Sequence, residues 1–576
     1  SSSGPVAQVG IFAFVGLDKD IKILLLFAGA ICTIVIALAL IVPPSSWDAM
    51  QTYLPRAMLW ISNRSVAFYP TPDYLQLVYA PWPSFAMAQS ILLFGSDRFV
   101  NVFQALSLLA CAIGASVIAR ELGASVRGQA LAAIISITIP QGILEASGVL
   151  NSYILSLWIV GAIAFLLVWK DRPTFLNAIL TGVSGGLALL SKGHAYIYLP
   201  PLVLACYWMF SHQARVLLLK HSIVFIAAAL LVNVPTYVRN YELTASPLGL
   251  PLPEPFRQSM VTTDFRPAAV AANVLRHISA HIGTPIAAVN EALDRALFFA
   301  MSKIGIAPDY SIYEGDHFAV VPLSLYELHA GNLFHLVLGL LSFILIMLYF
   351  KQPAVRDARI YAAGIVFAFI LMGATIVWQT TDGRYHLPLF VLGAPVMGLC
   401  LERYFYWKVG TTVAGFLIAV GLIYSLANRT RTFVPSHRVP NIYQDRYLLY
   451  FADHHEADYP LHRAVADAVN REQCSNIGID SVLPKGMFRD SKGSLFVYPI
   501  IAFVNPDGLS KTIQYTGVVN LTSRYISAKG SICAVICFNC ATLPEKWQEY
   551  RRIGGRASVF DNIVVFSAGG DQINDR

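Results

Sequence analysis

Asp48 is the leading candidate for chemistry in this chain. It follows the apolar segment from Ile21 to Val42 and opens the run Trp47 to Pro70, WDAMQTYLPRAMLWISNRSVAFYP. A carboxylate at the edge of a bilayer is costly to ionise unless cations, donors or water stabilise it. Held there, it can take a proton from a hydroxyl nucleophile. A departing phosphate needs positive charge. Lys192 (LLSKGHAYIYLPP) and Arg384 (TTDGRYHLPLF) are the cations that can supply it. Glu327 and His329 (YELHAGNLFH) can bind an acceptor or a divalent metal. Each residue also has a plainer reading. Asp48 suits a helix N-cap. Lys192 suits a cation snorkelling from a span end. Arg384 can pair with Asp382, Glu327 can cap the next helix, His386 suits a structural role, and Asp73 in Thr71-Pro72-Asp73-Tyr74 suits a turn.

Next to Asp48, the residues Met50, Tyr53, Leu54, Ala57 and Ile61 recur at helical spacing, with Gln51, Arg56 and Arg64 off that face. The pattern predicts a helix lying in the membrane interface. The whole chain fits a membrane setting. Its 576 residues are 56% hydrophobic and 13% charged, with mean hydropathy +0.58, whereas soluble domains are about 25% charged. Runs near the roughly 20 residues that cross the hydrocarbon predict eleven spans. They lie at about 21–43, 98–119, 128–146, 149–169, 174–191, 194–210, 215–237, 332–350, 358–378, 386–401 and 408–427. The opening SSSGPVAQVG lacks the basic region of a cleavable signal peptide.

One set of short loops carries Arg120, Arg127, Lys170, Arg172, Arg215, Lys220, Lys351, Arg356, Arg359, Arg403 and Lys408. The positive-inside rule places these, and the N-terminus, in the cytoplasm. Three large segments, 43–97, 238–331 and 428–576, then share the outer side. The net charge of +7 is mostly this loop bias, which gives no reason to expect a nucleic-acid partner. The 238–331 segment holds turn formers (Ser246 to Gly249, Pro251, Pro253, Pro255), an amphipathic helix over Ala268 to Ile282, and Tyr310, Tyr313, Phe318 and Tyr326, which can stack on sugar rings. From about 428 the composition changes. A helical run, Leu461 to Glu472, and β-like runs at Asn476–Asp480, Gly517–Leu521, Ser531–Phe538 and Ser558–Ser567 predict a small α/β domain. Cys474, Cys533, Cys537 and Cys540 in that domain suggest up to two disulfides of open connectivity, with free thiols or a zinc site as the alternatives.

The spans are nearly free of charge. Asp48, Asp73, Lys192, His194, Glu327, His329, Asp382, Arg384 and His386 collect instead at their outer ends. Transporters place ionisable groups mid-span, so the pattern favours an enzyme site at the membrane surface. The rival classes are a lipid-linked glycan flippase and a non-catalytic subunit of a membrane complex.

Several stretches look familiar together. Trp47-Asp48-Ala49-Met50-Gln51-Thr52-Tyr53-Leu54-Pro55-Arg56 after the first span, Ser65 to Thr71, Leu190-Ser191-Lys192-Gly193, Ala330-Gly331-Asn332 and Arg384 to Leu389 resemble membrane glycosyltransferases of the GT-C superfamily, in the bacterial dolichyl-phosphate-mannose-protein mannosyltransferase-like branch. The resemblance spans roughly residues 21–430. It implies an α-helical polytopic fold with outer interfacial helices, a transferase module over 1–430 and an extracytoplasmic α/β domain over 431–576, in a bacterial inner membrane. It implies transfer of a sugar from a polyprenyl-phosphate donor, with inversion, to a glycan, lipid or protein acceptor, with Asp48 as general base. Lys192 and Arg384 are the candidate phosphate binders, and Glu327, His329, Tyr53 and Arg56 the candidates for the acceptor or a second acid. Many relatives carry an acid pair where this chain has Trp47-Asp48, so Glu327 is the leading second acid. A divalent metal, at Glu327 and His329, stays open.

Overall fold

The computed structural model describes residues 16–250, 260–313, 315–349, 352–435, 439–452, 455–472, 474–481, 496–526, 531–552 and 555–568. The opening SSSGPVAQVG, the turn formers Pro251, Pro253 and Pro255, and the loop cation Lys351 lie outside these residues.

The protein is a helical, polytopic integral membrane protein with a small C-terminal α/β domain. A helix stands at each of the eleven expected span positions. Seven are long and apolar enough to cross a bilayer: Lys19–Ile41, Asp97–Glu121, Ser152–Asp171, His212–Thr244, Pro353–Thr375, Asp382–Tyr404 and Trp407–Leu426. The other four, Val126–Ile137, Phe175–Leu189, Ala195–Met209 and Leu333–Leu348, have 12 to 16 residues. At 1.5 Å per residue they reach about 18–24 Å, short of the roughly 30 Å hydrocarbon.

The Val126–Ile137 helix shows why one of these is short. Ser125 caps its start, with Oγ accepting from the Arg127 amide at 3.2 Å. Pro140 has no amide to donate and holds Ile139 extended, at φ −63° and ψ 116°. The helix therefore stops, and a separate short helix, Pro140–Glu145, follows. The expected span 128–146 is two pieces, and the second ends on Glu145.

The segment after Asp48 differs from expectation. It begins as a π-turn, Ala49–Tyr53, and continues as the helix Leu54–Asn63, which ends at Arg64 in the left-handed conformation (φ 51°). Most of it is dry, and Arg64 at its end is exposed. Arg56 is 0% exposed and Gln51 is buried too. The helix Trp82–Phe94 covers one side, with Trp60 stacked on Phe85 at 4.8 Å. The C-terminal domain covers another, where Ser62 Oγ donates to the Lys511 carbonyl at 3.2 Å. The stripe found in the sequence is real. On the opposite, polar face Gln51 and Arg56 meet protein rather than water, while Arg64 is exposed.

The C-terminal domain carries five strands: β1 (Asn476–Ser481), β2 (Thr512–Tyr515), β3 (Ala534–Phe538), β4 (Arg556–Phe560) and β5 (Ile563–Ser567), ordered β2-β1-β3-β5-β4. β1 lies parallel to β2 and β3, and β5 antiparallel to β3 and β4. The expected strand at Gly517–Leu521 is not formed. The strand ends at Tyr515, and Gly517 turns the chain at φ +66° against the Asp480 carboxylate. The single expected run Ser558–Ser567 is a hairpin bent at Asp561 (φ 50°). The helix expected from Leu461 runs Tyr459–Arg471. The cysteines pair as Cys474–Cys533 and Cys537–Cys540.

One apolar core joins the Asp48 segment to this domain. Met50, Leu54, Ala57 and Met58 belong to the same buried cluster as Val497, Ile500, Ile501, Ile513 and Phe538. The domain is thus part of what positions Asp48.

Candidate active site

Asp48 lies at the first turn of a helix but makes no capping hydrogen bond. Its Oδ2 instead accepts from Arg384 Nη1 at 3.0 Å. The pair is partly open, with side-chain exposures of 32% for Asp48 and 11% for Arg384. Arg384 does not pair with Asp382, whose Oδ2 accepts the Gln379 amide at 2.9 Å and lies 3.3 Å from His277 Nδ1. Asp382 and Arg384 share the 3₁₀ turn Asp382–His386, and Arg384 faces Asp48 rather than its neighbour.

Tyr385 ties the two predicted phosphate cations together. Arg384 Nη2 donates to its hydroxyl at 3.1 Å, and Lys192 Nζ sits 4.7 Å from its ring centre. Lys192 also reaches Ser152 Oγ at 3.5 Å. Burial, then the Arg384 charge, pushes the Lys192 ammonium below its ordinary range. Arg384 Nε has no hydrogen-bond partner among the described residues. Two cations with unspent donors therefore stand beside one half-open carboxylate. Such a set can receive a phosphate and hold a base close to it.

Two further carboxylates complete the site, and sequence reasoning underrated both. Asp73, read as a turn residue, does accept the Leu75 amide at 2.9 Å, but it is also buried beside Thr52, whose Oγ1 donates to Oδ2 at 3.4 Å. Burial raises its carboxyl to about 7. Glu145 is 0% exposed and takes a 2.7 Å hydrogen bond from Gln141 Nε2. It lies within the electrostatic reach of Lys192 and Arg384. It was the one carboxylate inside an expected apolar span, which is itself a functional sign.

The remaining candidates are placed differently. Glu327 is fully buried and paired with Arg431 at 2.5 Å. Gly148 belongs to the same packing, since a Cβ there would lie 2.5 Å from Arg431 Nη2. His329 packs on Tyr326 at 5.4 Å between ring centres. Among the described residues no three His, Cys, Asp or Glu side chains form a group that could hold a metal. Arg56 is consumed by the carbonyls of Tyr79 (2.7 Å) and Ala80 (3.2 Å) and by Ser84 Oγ, and burial lowers its guanidinium to about 10. Tyr53 is buried in the π-turn, where burial, then the Asp48 charge, raises its phenol. Of the loop aromatics, Phe318 packs in a core against Trp378, and Tyr310 bonds Asp264 at 2.8 Å. His386 Nδ1 meets His281 Nε2 at 2.8 Å. Trp47, beside Asp48, lies against Phe496 (5.2 Å) and His455 (5.6 Å) of the C-terminal domain.

Comparison with known proteins fits this architecture. A crystal structure of ArnT from Cupriavidus metallidurans, bound to undecaprenyl phosphate, superposes with a TM-score of 0.53 at 11% identity, over 96% of this chain and 99% of that one. The chain has a GT-C fold. Apo ArnT gives a TM-score of 0.52 at 13% identity, over 95% and 98% of the two chains. Archaeal oligosaccharyltransferase AglB from Archaeoglobus fulgidus gives 0.46 at 13% identity, over 92% and 71%. The family model for dolichyl-phosphate-mannose-protein mannosyltransferases matches residues 87–244. A search of curated protein sequences returns no match. The resemblance read from the Asp48, Lys192 and Arg384 stretches is borne out.

Proposed function

We propose that this protein is a glycosyltransferase that moves a sugar from a polyprenyl-phosphate donor to an acceptor hydroxyl at the membrane face bearing the C-terminal domain, with inversion. Asp48 accepts the hydroxyl proton as the acceptor oxygen bonds the anomeric carbon. The bond from that carbon to the phosphate oxygen breaks, and the polyprenyl phosphate leaves with its charge met by Lys192 and Arg384. The observation that carries the reading is the Asp48–Arg384 pair beside Lys192, a half-open base within reach of two cations. It is supported by the fold shared with ArnT, whose crystal structure holds undecaprenyl phosphate, and by the mannosyltransferase family match. The positive-inside pattern makes that face the outer one. The acceptor is a glycan, lipid or protein.

General-base catalysis contributes about 10²–10⁴-fold. Asp48→Asn keeps the shape and removes the base. The expected result, with purified protein and a panel of polyprenyl-phosphate sugars, is transfer reduced by about that factor and an unchanged thermal midpoint. Full transfer in that variant overturns the assignment of Asp48.

A further inference from the structure

One loop of the C-terminal domain, Val519 to Ile526, is inside out for a domain in water. Its apolar residues are bare: Val519 is 97% exposed, Leu521 52% and Ile526 62%. Its polar residues are packed. Thr522 is buried and its Oγ1 accepts the Thr71 amide at 2.9 Å, while Asn520 Nδ2 donates to the Thr71 carbonyl at 2.9 Å. The Leu521 amide donates to the Tyr74 hydroxyl at 3.1 Å. The loop is thus held in place with its aliphatic side chains outward. Single exposed aliphatics are ordinary on a protein surface, but a contiguous patch marks a contact.

The loop is seated on the end of an apolar helix long enough to span the bilayer. Arg524 Nη2 donates to the Glu242 carbonyl at 2.5 Å, in the last turn of His212–Thr244, where the carbonyls lack intrahelical partners. The Phe68 ring joins the two, lying 6.0 Å from Tyr525 and 5.7 Å from the Arg239 guanidinium. That helix is exposed at Leu230, Leu231, Val234 and Val238, and its exposed side ends in Tyr241. Aliphatics closed off by a tyrosine are the pattern of a lipid-facing surface that reaches the interface. From Val238 to Glu242 a helix rises about 6 Å, and the headgroup layer is about 5–8 Å thick on each side of the hydrocarbon. Arg524 therefore stands at headgroup height. Val66 and Leu248, each 49% exposed, continue the bare surface on the segments that Arg239 and Asn240 hold to the helix.

We propose that the Val519–Ile526 loop is a membrane-surface anchor, with Val519, Leu521 and Ile526 inserted at the headgroup–acyl boundary beside the end of His212–Thr244. The partner is the lipid bilayer itself, because the patch is continuous with the exposed apolar side of that helix. Aliphatics exposed at this height are buried by lipid without any further protein. The anchor has a consequence for the site. The same domain holds the helix after Asp48, through Ser62 Oγ with the Lys511 carbonyl and the Ile513 amide. Fixing the domain on the bilayer fixes the height of that segment, whatever the role of Asp48.

The test is spin-label accessibility on the full-length protein in phosphatidylcholine nanodiscs. One label is attached at Val519→Cys. A second, at Asp467→Cys, gives the value for water, since Asp467 pairs with Arg463 on the exposed charged side of the helix Tyr459–Arg471. The four free cysteines are buried and do not compete for label. Oxygen concentrates in lipid, and a nickel chelate stays in water. The expected ratio of oxygen to nickel accessibility is severalfold higher at Val519 than at Asp467, as for a side chain about 5–10 Å into the interface. A ratio at Val519 equal to that at Asp467 overturns the anchor. So does a Val519 label shielded from both reagents, which means that a protein partner or a second copy of this chain covers the patch. Should Val519→Cys fold poorly, Leu521→Cys is read by the same criteria.

Discussion

Two arginine–carboxylate pairs lie on the same side of this protein, and they differ in one respect that decides their work. Arg431 and Glu327 are each 1% exposed and meet at 2.5 Å. Arg384 and Asp48 meet at 3.0 Å with exposures of 11% and 32%. The first pair also has the Leu144 carbonyl and Ser147 Oγ around its guanidinium. Its charges face each other, at the join between Gly148 and the segment after the last span, and both guanidinium groups keep an Nε without a hydrogen-bond partner among the described residues. The second pair touches Tyr385 and borders Lys192. A carboxylate that solvent can reach can exchange a proton with a substrate. One sealed against an arginine cannot do so without breaking the protein around it.

The sharpest way to break this contrast is to remove each carboxylate in turn. Asp48→Asn is expected to cut transfer by about 10²–10⁴-fold with the protein still folded, as assayed above. Glu327→Ala leaves Arg431 charged and dry. Removing one partner of a buried pair costs about 3–5 kcal/mol. The expected outcome is poor yield and a markedly lower thermal midpoint by differential scanning fluorimetry, before any loss of activity per folded molecule. For Asp48→Ala the stability cost should be smaller, since the Asp48 side chain is 32% exposed and water can reach the Arg384 that remains. If Glu327→Ala is stable and inactive while Asp48→Asn is active, the roles are reversed. A gentler probe is the double change Glu327→Leu with Arg431→Met. Apolar replacement of a buried pair is often neutral, so folding and transfer should return together.

How much of this contrast was visible in the sequence follows from what each residue's neighbours are. Asp48, Lys192 and Arg384 stood out because they interrupt or border long apolar runs. Hydropathy along a chain records such breaks, and the family-like stretches around them added the rest. Glu327 stood out for the same reason, yet its partner Arg431 lies 104 residues away. No periodicity reports a pairing across that distance. Arg56 looked like the wet edge of an interfacial helix because its partners, the carbonyls of Tyr79 and Ala80, belong to a loop that folds back over it. Glu145 was absorbed into a predicted span because Pro140, which ends the helix, is tolerated in many spans. The helices and the small sheet were legible through composition. Strand limits in the C-terminal domain shifted where Gly517 and Asp561 turn the chain.

The open pair also depends on the domain beside it. Trp47 sits between Asp48 and the rings of Phe496 and His455. Aromatic pairs contribute about 0.5–1.5 kcal/mol beyond their burial, so Trp47→Ala should lower kcat by about tenfold at most, leaving KM for the donor nearly unchanged. An equal rise in KM would mean that Trp47 shapes the donor site rather than the base.

The smallest effect separates Asp48 from its dry neighbour Asp73. Burial lifts the Asp73 carboxyl from 3.8 to about 7, so the folded protein holds that proton more tightly than the unfolded chain does. The stability it contributes is full below about pH 4, the ordinary carboxyl range, and is lost as pH rises towards about 7. Above that the loss is complete and flat. Asp73→Asn cannot ionise, and its oxygen still accepts the Leu75 amide that now bonds Oδ1 at 2.9 Å. The thermal midpoint of wild type should therefore fall between pH 5 and pH 8 by about 2 °C more than that of the variant, a shift sized for roughly 1 kcal/mol in a large protein. Equal pH slopes in wild type and Asp73→Asn would mean that Asp73 stays charged in the folded protein, and the site would then carry a second ionised acid next to Asp48.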